Sequence, residues 1–470
     1  MNSQNKMTSK LVLSVFRQLF PHSTFAYFAL ALFVTYAFLV FFSRSGYADN
    51  LSLFLTLMTT SNAIVFGFFY YLWRNDQSPS AKFVFLWALT FHIIGIFGMP
   101  IFEDDYFRYL WDAYHTVNLG TPYGIAPSDY FSSETITSNT TINPQFQTIL
   151  GQINYPDIPT IYGPVLQYSF LLGYAASPGE VWPLQLLYSA ADMLVIVLLL
   201  RLATPRFVLL YAWSPLVFKE IILTAHPDGV GVLLLISAVW SHHRGHLVAC
   251  ALFLAMSVAA KVFAILLVPY LLIRAKVKHG VLFVLTLVLL YIPLLINSDS
   301  DVIGLKAMAQ AWEFNSALFG LLLLGFSAQT SKLLLASLLL IFMAGYLFYY
   351  YKSGQPTPAN RHSSPQHHSN SIVRGDWVMG LFLLCAPVIN PWYLVWVLPF
   401  AVIHPRLTVW VASSVIMLAY IVGLNVPYTS ELGPYDQPIW ARLIEFGVIG
   451  LVAGYEIWRY YSSRTYSLNS

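Results

Sequence analysis

The sequence predicts an all-α, polytopic membrane protein. Of its 470 residues, 57% are hydrophobic and only 10% are charged, whereas soluble domains carry roughly a quarter charged residues. The apolar residues form long continuous blocks, as expected of helices that lie in a bilayer. The net charge of +3 is small and gives no indication of a nucleic-acid partner. Cys250 and Cys385 lie inside apolar blocks and are expected to be small core residues.

Apolar blocks separated by polar breaks are the candidate spans. Several of them are shorter than the ~20 residues of a straight crossing, so we expect about 12–14 spans, some of them broken helices. The first block follows Lys6, Lys10 and Arg17 and is expected to be an uncleaved signal anchor. The blocks are 24–42, 51–73, 83–101, 181–200, 206–218, 221–240, 246–260, 262–274, 280–296, 332–351, 377–389, 392–404, 407–425 and 439–459.

The distribution of positive charge predicts the orientation of these spans. With a cytoplasmic N-terminus, most of the 24 Lys and Arg residues fall in cytoplasmic segments, as the positive-inside rule requires. The long segment from Phe102 to Glu180 contains Arg108 as its only Lys or Arg and is expected outside. Both chain ends are then cytoplasmic.

This topology divides the chain into five parts. The piece rich in Pro, Ser and His is expected to be a flexible linker rather than a metal site, because His362, His367 and His368 lack regular ligand spacing. The parts are an N-terminal tail with three spans (1–101), an extracytoplasmic catalytic loop (102–180), a central transmembrane bundle (181–351), a cytoplasmic linker (352–376) and C-terminal transmembrane helices (377–470).

Three adjacent acids, Glu103, Asp104 and Asp105, open the long outside segment. Neighbouring carboxylates repel one another, so at least one should bind a proton or a cation more strongly than usual. A carboxylate beside an apolar wall suits a general base. In a helix, Asp112 would share a face with Asp105, with Arg108 between them. The structural alternative is a solvated helix N-terminus, where the helix dipole favours acids.

Charged residues also interrupt the central bundle. Lys219, His226 and Asp228 lie at a break rich in Pro and Gly, which predicts either an unwound junction that lines a cavity or a tight turn between spans. Lys261 stands alone among apolar residues near the outer leaflet, where it either binds a lipid phosphate or extends its ammonium to the headgroups. Arg442 is a further outside cation that could neutralise a phosphate.

Two weaker signals follow. Glu313 and Asn315 lie in the outer segment before the tenth block, and Trp392 and Tyr393 begin an aromatic cluster at an outside helix start. An anchor at the membrane interface is the default interpretation of such a cluster.

At these residues the chain resembles the GT-C superfamily of multispan glycosyltransferases, which use polyprenyl-phosphate sugars. Within it the chain looks most like GPI mannosyltransferase I and bacterial polyprenol-phosphate mannosyltransferase-like proteins. The family pattern of an acidic pair and Tyr, then Asp-Ala, then Gly-x-Pro-Tyr reads here as Glu103-Asp104-Asp105-Tyr106, Asp112-Ala113 and Gly120-Thr121-Pro122-Tyr123. The Asp-x-Asp of the eukaryotic enzymes reads Glu103-x-Asp105, so a divalent cation at these two residues stays open, and no other cofactor is indicated.

The resemblance implies a GT-C-like bundle that transfers a sugar, most commonly mannose in the family, from a polyprenyl-phosphate donor to a hydroxyl of a lipid or glycan acceptor, with inversion. It places the reaction outside a bacterial inner membrane or in the endoplasmic reticulum. Asp105 is expected to be the base, with Asp104 as its rival. The donor phosphate would be bound by Lys261 and Arg442, supported by Lys219 and Arg108. The expected substrate-binding residues are Glu103, Asp112, Tyr123, His226, Asp228, Glu313, Asn315, Trp392 and Tyr393.

Two other classes of protein fit the same sequence features. A lipid-linked sugar flippase or transporter would also have broken helices and charges within the bundle. A non-catalytic subunit of a glycosylation complex is the third possibility.

Overall fold

The computed structural model describes residues 23–46, 48–132, 142–295, 300–353, 372–426 and 432–468. Helices make up 74% of the structure, and no strand occurs within these ranges. The predicted cytoplasmic tail with Lys6, Lys10 and Arg17 lies outside the described residues. So does most of the predicted linker, with its three histidines.

The helices are numbered here in chain order. They are α1 Ser23–Ser43, α2 Leu51–Arg74, α3 Ala81–Gly95, α4 Asp105–Leu119, α5 Asp129–Ser132, α6 Pro144–Leu150, α7 Pro164–Ala176, α8 Trp182–Leu202, α9 Pro205–Ala212, α10 Pro215–Val217, α11 Asp228–His243, α12 Leu247–Ala260, α13 Val268–Leu272, α14 Val277–Leu295, α15 Val302–Ala311, α16 Leu318–Leu322, α17 Ala328–Lys352, α18 Gly375–Cys385, α19 Leu398–Ile403, α20 Leu407–Val415 and α21 Ile439–Leu468. A π-helical turn follows α10 at Phe218–Leu223, and 3₁₀ segments occur at Val262–Leu267, Pro391–Trp396 and Ile416–Tyr420.

Five of the described helices are long and apolar enough to cross a membrane: α1, α2, α8, α14 and α17. Only 17% of the most apolar window of α14, and the same share of α17, is buried inside the protein. Their outward faces carry large aliphatic side chains such as Leu289 and Ile341, which are 66% and 71% exposed. Apolar faces of this size are stable against lipid rather than water. The chain is therefore a helical membrane protein.

The shorter predicted blocks do not form full-length spans on their own. Apolar helices of 10–17 residues replace several of them, and the number of crossings stays a prediction. The chain from Pro205 to Leu223 and α11 qualify together as one span, but they are bent by 119° at the intervening break. Every residue from Val208 to Gly229 is buried, so this bent pair forms the centre of the bundle.

Aromatic packing fixes the bent pair in place. The Trp213 ring packs against Phe68, Phe83 and Phe91 at centroid distances of 5.4–5.6 Å. The Tyr36 hydroxyl of α1 donates a hydrogen bond of 2.8 Å to the Trp213 carbonyl. Helices α1, α2 and α3 thus enclose the break after α9, and they are part of the core.

The segment 102–180, predicted as an extracytoplasmic loop, contains four helices among its described residues. It folds into α4, α5, α6 and α7. Helix α4 packs against α7, and α7 packs against α8 and α12. Gly163 and Pro164 start α7 where a proline is favoured, at the first helical position. The sequence does not predict this helix as a span, because Gln167, Tyr168 and Ser169 interrupt its apolar run.

Breaks in the helices occur where the backbone borders an internal cavity. Lys261 separates α12 from a 3₁₀ segment, and two further 3₁₀ segments contain Trp392 with Tyr393, and Tyr420. All four side chains line the same cavity. Non-helical backbone within a membrane protein is tolerated where it lines such a space.

Candidate functional site

The cavity has a volume of about 610 Å³ and is lined by segments from distant parts of the chain. They include the loop before α4, the loop 154–163, the junction after α12, helix α15, the segment 388–393 and the turn around Tyr435. Eight of the residues predicted for the site line this cavity. They are Glu103, Asp104, Asp105, Arg108, Lys261, Glu313, Trp392 and Tyr393.

Glu103, Asp104 and Asp105 form the acidic part of the wall. Asp104 occupies the N-cap position of α4, and Asp105 lies in its first turn, so the helix dipole favours their negative charge. Burial is the main reason why the pKa of Glu103 lies well above its usual range, and the charge of Asp105 adds to the effect. Burial and then the same charge raise the pKa of Asp104 from 3.8 to about 6. Glu103 and Asp104 therefore bind a proton more readily than exposed carboxylates do.

Asn154 links two of the acids. Its Nδ2 atom donates to Asp104 Oδ1 at 2.6 Å and to Asp105 Oδ1 at 2.9 Å. The other oxygen of Asp105 accepts a hydrogen bond of 3.1 Å from the Tyr162 hydroxyl. Both oxygens of Asp105 thus face donors, an arrangement that suits an ionised carboxylate.

Arg108 supports this arrangement from behind. Its guanidinium donates to the carbonyl oxygens of Tyr155 and Ile158 at 3.0 Å each, and the residue is only 7% exposed. These hydrogen bonds engage part of its guanidinium, and the support of a donor phosphate by Arg108 stays a prediction. Its contacts fix the loop that carries Asn154 beside the acids.

Lys261 is a second cation that lines the cavity. Its Nζ atom lies 2.6 Å from Asp228 Oδ1 and 4.4 Å from the centroid of the Tyr393 ring. The same Asp228 oxygen accepts a hydrogen bond of 2.6 Å from Trp396 Nε1. Asp228 is only 2% exposed. Its hydrogen bond holds Lys261 in place, and we find no direct access from the cavity to the Asp228 carboxylate, which was predicted to bind substrate.

A close approach of two segments brings the acids and Lys261 to the same space. A Cβ atom on Gly163 would lie 2.2 Å from the carbonyl oxygen of Ala259. Only glycine permits this contact, which places Tyr162 next to the end of α12 and Lys261.

Lys219 and His226, predicted to support the donor phosphate and to bind substrate respectively, are buried and do not line the cavity. Lys219 is fully buried, where it donates to Tyr420 and lies 3.2 Å from Glu220 Oε2. His226 Nε2 is 3.4 Å from the same Glu220 oxygen. The His226 ring stacks on Trp392 at a centroid distance of 4.0 Å. These residues support the cavity wall through Tyr420 and Trp392.

Asp112 and Tyr123 do not line the cavity either. Asp112 lies two helical turns beyond Asp105, or roughly 10 Å along the axis, which places it in the interior. It accepts hydrogen bonds from Thr160 Oγ1 at 2.5 Å and Gln167 Nε2 at 2.9 Å, and burial raises its pKa to about 6. Tyr123 donates a hydrogen bond of 3.1 Å to the Tyr162 carbonyl. Their predicted contacts with substrate are therefore replaced by structural ones.

Arg442 and Asn315 also take supporting positions. Arg442 Nη1 lies 3.0 Å from Oε1 of Glu313. Glu313 lines the cavity and Arg442 does not, so the Glu313 carboxylate lies between the Arg442 guanidinium and the cavity. Asn315 is fully buried and donates to Glu445 Oε1 at 2.9 Å. Beside it, Phe314 exchanges backbone hydrogen bonds with Pro387 and Ile389, which joins two segments of the wall.

Strained backbone is concentrated around the cavity. Among the described residues, five non-glycine residues have positive φ. Phe102 (φ 57°) and Tyr155 (φ 45°) line the cavity. Asn315 (φ 46°) comes directly after a cavity-lining residue in the sequence, and Ala225 (φ 58°) comes directly before His226. Such conformations cost of order 1–3 kcal/mol each and are often kept at functional sites.

The acidic cluster has the composition of a cation site. One oxygen from each of Glu103, Asp104 and Asp105 lies within 4.8 Å of the others, the only such group found among the described residues. Carboxylate oxygens are ligands for hard divalent cations such as Mg²⁺, Mn²⁺ and Ca²⁺. The residues would therefore fit a divalent cation, which the sequence leaves open.

The sequence does not identify Asn154, Tyr162, Trp396 or Tyr420 as site residues. Asn154 lies in a turn with no local pattern, and Tyr420 lies inside an apolar block. The pair Gly163-Pro164 is the one local signal that could have drawn attention to Tyr162, because it predicts a helix start there.

The fold and the cavity together define the class of protein as a helical membrane protein with an internal acidic cavity. Comparison with protein-family models, curated proteins and solved structures found no match for this chain.

Proposed function

We propose that this chain is a membrane glycosyltransferase that moves a sugar from a polyprenyl-phosphate donor to an acceptor hydroxyl, with inversion at the anomeric carbon. The observation that carries the proposal is that Asp105 and Lys261, 156 positions apart in the sequence, line one cavity inside an apolar bundle. A base and a phosphate-binding cation are the two groups that such a transfer needs. The proposal is in keeping with the resemblance to the GT-C superfamily.

In the proposed reaction the acceptor oxygen attacks the anomeric carbon of the donor sugar. Its proton passes to the Asp105 carboxylate, the new glycosidic bond forms, and the bond from the anomeric carbon to the phosphate oxygen breaks. The electron pair leaves with the polyprenyl phosphate. Asn154 and Tyr162 orient Asp105 through their hydrogen bonds, and general-base catalysis of this kind contributes roughly 10²–10⁴-fold.

Lys261 is the proposed ligand of the leaving phosphate. An ammonium group has three N–H donors, and Asp228 engages one of them. The others can turn toward a phosphate, whose growing charge they stabilise beside a low-dielectric wall. Glu103, Asp104 and Asp105 would hold a divalent cation, which would supply positive charge for the donor phosphate.

The donor lipid is proposed to lie along the apolar part of the wall. Val262 and Val302 line the cavity and are 43% and 61% exposed on the protein surface. An apolar chain at these residues would pass from the cavity to the surrounding lipid. Following the positive-inside rule, we place the cavity on the extracytoplasmic side of a bacterial inner membrane or of the endoplasmic reticulum, with both chain ends cytoplasmic.

The test uses the full chain purified into proteoliposomes with polyprenyl-phosphate [³H]mannose and a panel of hydroxyl acceptors. The proposal predicts a labelled product with the anomeric configuration opposite to that of the donor. Movement of the labelled lipid across the bilayer without transfer to any acceptor would reject the transferase and favour the flippase. The same assay on the single purified chain distinguishes an enzyme from a non-catalytic subunit.

A further inference from the structure

Three aromatic rings from three different loops meet at the wall of the cavity. The Tyr155 ring lies 4.3 Å from the Trp312 ring and 5.0 Å from the Tyr435 ring, measured between centroids. All three residues line the cavity. Tyr435 is 42% exposed, so this aromatic cluster lies where the cavity meets the protein surface.

The aromatic cluster adjoins the acidic residues. Burial, followed by the charges of Asp104, Glu103 and Asp105, raises the pKa of the Tyr435 phenol to about 12. Burial and the same three charges also contribute to a raised pKa of Tyr155. A group bound on these rings would therefore lie beside the proposed base.

Tyr155 has a strained backbone conformation that a hydrogen bond from Arg108 stabilises. Its φ of 45° lies in the left-handed region, which an aromatic residue rarely adopts. Its carbonyl accepts a hydrogen bond of 3.0 Å from the buried Arg108 guanidinium. The protein thus stabilises an unfavourable backbone conformation that places this ring between the other two.

The aromatic cluster is distinct from the apolar part of the wall. Val302 begins α15 and Trp312 follows its last residue. Ten helical residues separate the two ends by roughly 15 Å. The cavity therefore offers an aliphatic surface near one end of α15 and an aromatic surface near the other. A lipid chain and a second substrate could be bound at the same time.

We propose that Tyr155, Trp312 and Tyr435 form an acceptor subsite that binds a saccharide ring. This inference rests on the proposed transferase function and specifies its acceptor as a glycan or the sugar headgroup of a glycolipid. The C–H groups on one face of a pyranose carry partial positive charge and pack against the negative face of an aromatic ring. Phenol hydroxyls and the indole N–H provide hydrogen bonds for the sugar hydroxyls. A simple lipid alcohol or a peptide serine has no such face to offer.

The experiment compares three acceptor probes with polyprenyl-phosphate [³H]mannose as donor. The probes are octyl mannoside, octanol and a serine-containing peptide. The variants are Trp312→Ala, Trp312→Phe and, as a matched control, Trp440→Ala, whose side chain is 52% exposed and does not line the cavity.

We expect transfer to octyl mannoside alone. In Trp312→Ala the KM for this acceptor should rise at least tenfold with the KM for the donor unchanged. Trp312→Phe should retain most of the affinity, and Trp440→Ala should resemble the wild type.

A second measurement tests binding without catalysis. An octyl mannoside with a diazirine on its sugar is photolysed with the full chain, and the labelled peptides are identified by mass spectrometry. Labelling around Tyr155, Trp312 or Tyr435, reduced in Trp312→Ala, supports the subsite even if no transfer is seen, in which case only the transferase proposal fails. Equal transfer to octanol or to the peptide, or labelling that Trp312→Ala leaves unchanged, overturns the subsite and leaves the transferase intact.

Discussion

A single amide group joins two of the three acids in the cavity: Asn154 Nδ2 donates to Asp104 at 2.6 Å and to Asp105 at 2.9 Å. The amide holds the two carboxylates in a fixed relation although their charges repel. It also lowers the pKa of Asp104 against the larger effects of burial and the Asp105 charge. Asn154 is therefore a positioning residue in the proposed mechanism, and its removal has a distinctive consequence.

We predict that Asn154→Ala lowers the rate of sugar transfer by about 10–100-fold, the usual value of a hydrogen bond to a charged group. In the wild type, activity should rise with pH near 6 as Asp104 loses its proton, because the ionised carboxylate is the better ligand for the proposed divalent cation. In Asn154→Ala this rise should move to higher pH, since the hydrogen bond that lowers the pKa of Asp104 is gone. Asn118→Ala, which removes only a hydrogen bond to the Tyr114 carbonyl, is the control. A lower rate with an unmoved pH profile would indicate a merely structural role.

Variants of the Lys261–Asp228 pair distinguish a loss of donor binding from a loss of stability. Lys261→Met leaves Asp228, which is 2% exposed, without its cation, and should lower the free energy of unfolding by about 3 kcal/mol. The double variant Lys261→Met/Asp228→Asn should regain much of that stability. Neither variant should bind a polyprenyl-phosphate sugar with wild-type affinity. Thermal unfolding and donor binding are measured on the same preparations. Recovery of donor binding in the double variant would exclude Lys261 as the phosphate ligand.

Gly163 tests the close approach between the start of α7 and the end of α12. In Gly163→Ala the new Cβ would meet backbone at 2.2 Å, so the two segments must separate. We expect a loss of about 1–3 kcal/mol of stability. The control is Gly454→Ala in α21, where a Cβ would meet nothing within 4 Å and alanine favours the helix. Melting temperatures of both variants in one detergent give the comparison. Equal values would contradict the contact.

Asp112 gives a prediction about stability and pH. Its pKa rises from 3.8 to about 6 on folding, mainly through burial. Between these values the folded state binds more protons than the unfolded state, so the contribution of Asp112 to stability falls as pH increases from about 4 to 6. A shift of this size corresponds to roughly 3 kcal/mol. Asp112→Asn should therefore show a smaller decrease in melting temperature from pH 4 to pH 7 than the wild type. An identical decrease would mean that Asp112 does not titrate in this range.

The sequence was informative where a feature is local. Helices α1, α2 and α8 begin and end within about two residues of the predicted blocks, because a full-length apolar run needs no tertiary information. Glu103, Asp104, Asp105 and Lys261 were predicted from charge beside apolar blocks, and all of them line the cavity.

Features that depend on contacts between distant segments were not predictable. Nothing near Asn154 in the sequence indicates that Arg108 holds its loop beside the acids. Nor could composition tell that Lys219 and His226 lie behind the wall while Lys261 lies in it. In the sequence Lys219 and His226 lie at a polar break and Lys261 stands among apolar residues, but only the packed bundle shows that Lys261 lines the cavity and the other two do not.

The central claim is that Asp105 acts as the base in a cavity shared with Lys261. The most direct measurement is the initial rate of transfer by Asp105→Asn in proteoliposomes, beside the wild type and Asp49→Asn, an exposed acid outside the cavity. The account predicts a loss of about 10²–10⁴-fold for Asp105→Asn, with unchanged membrane insertion and melting temperature, and a normal rate for Asp49→Asn. Wild-type rates in Asp105→Asn would contradict the account.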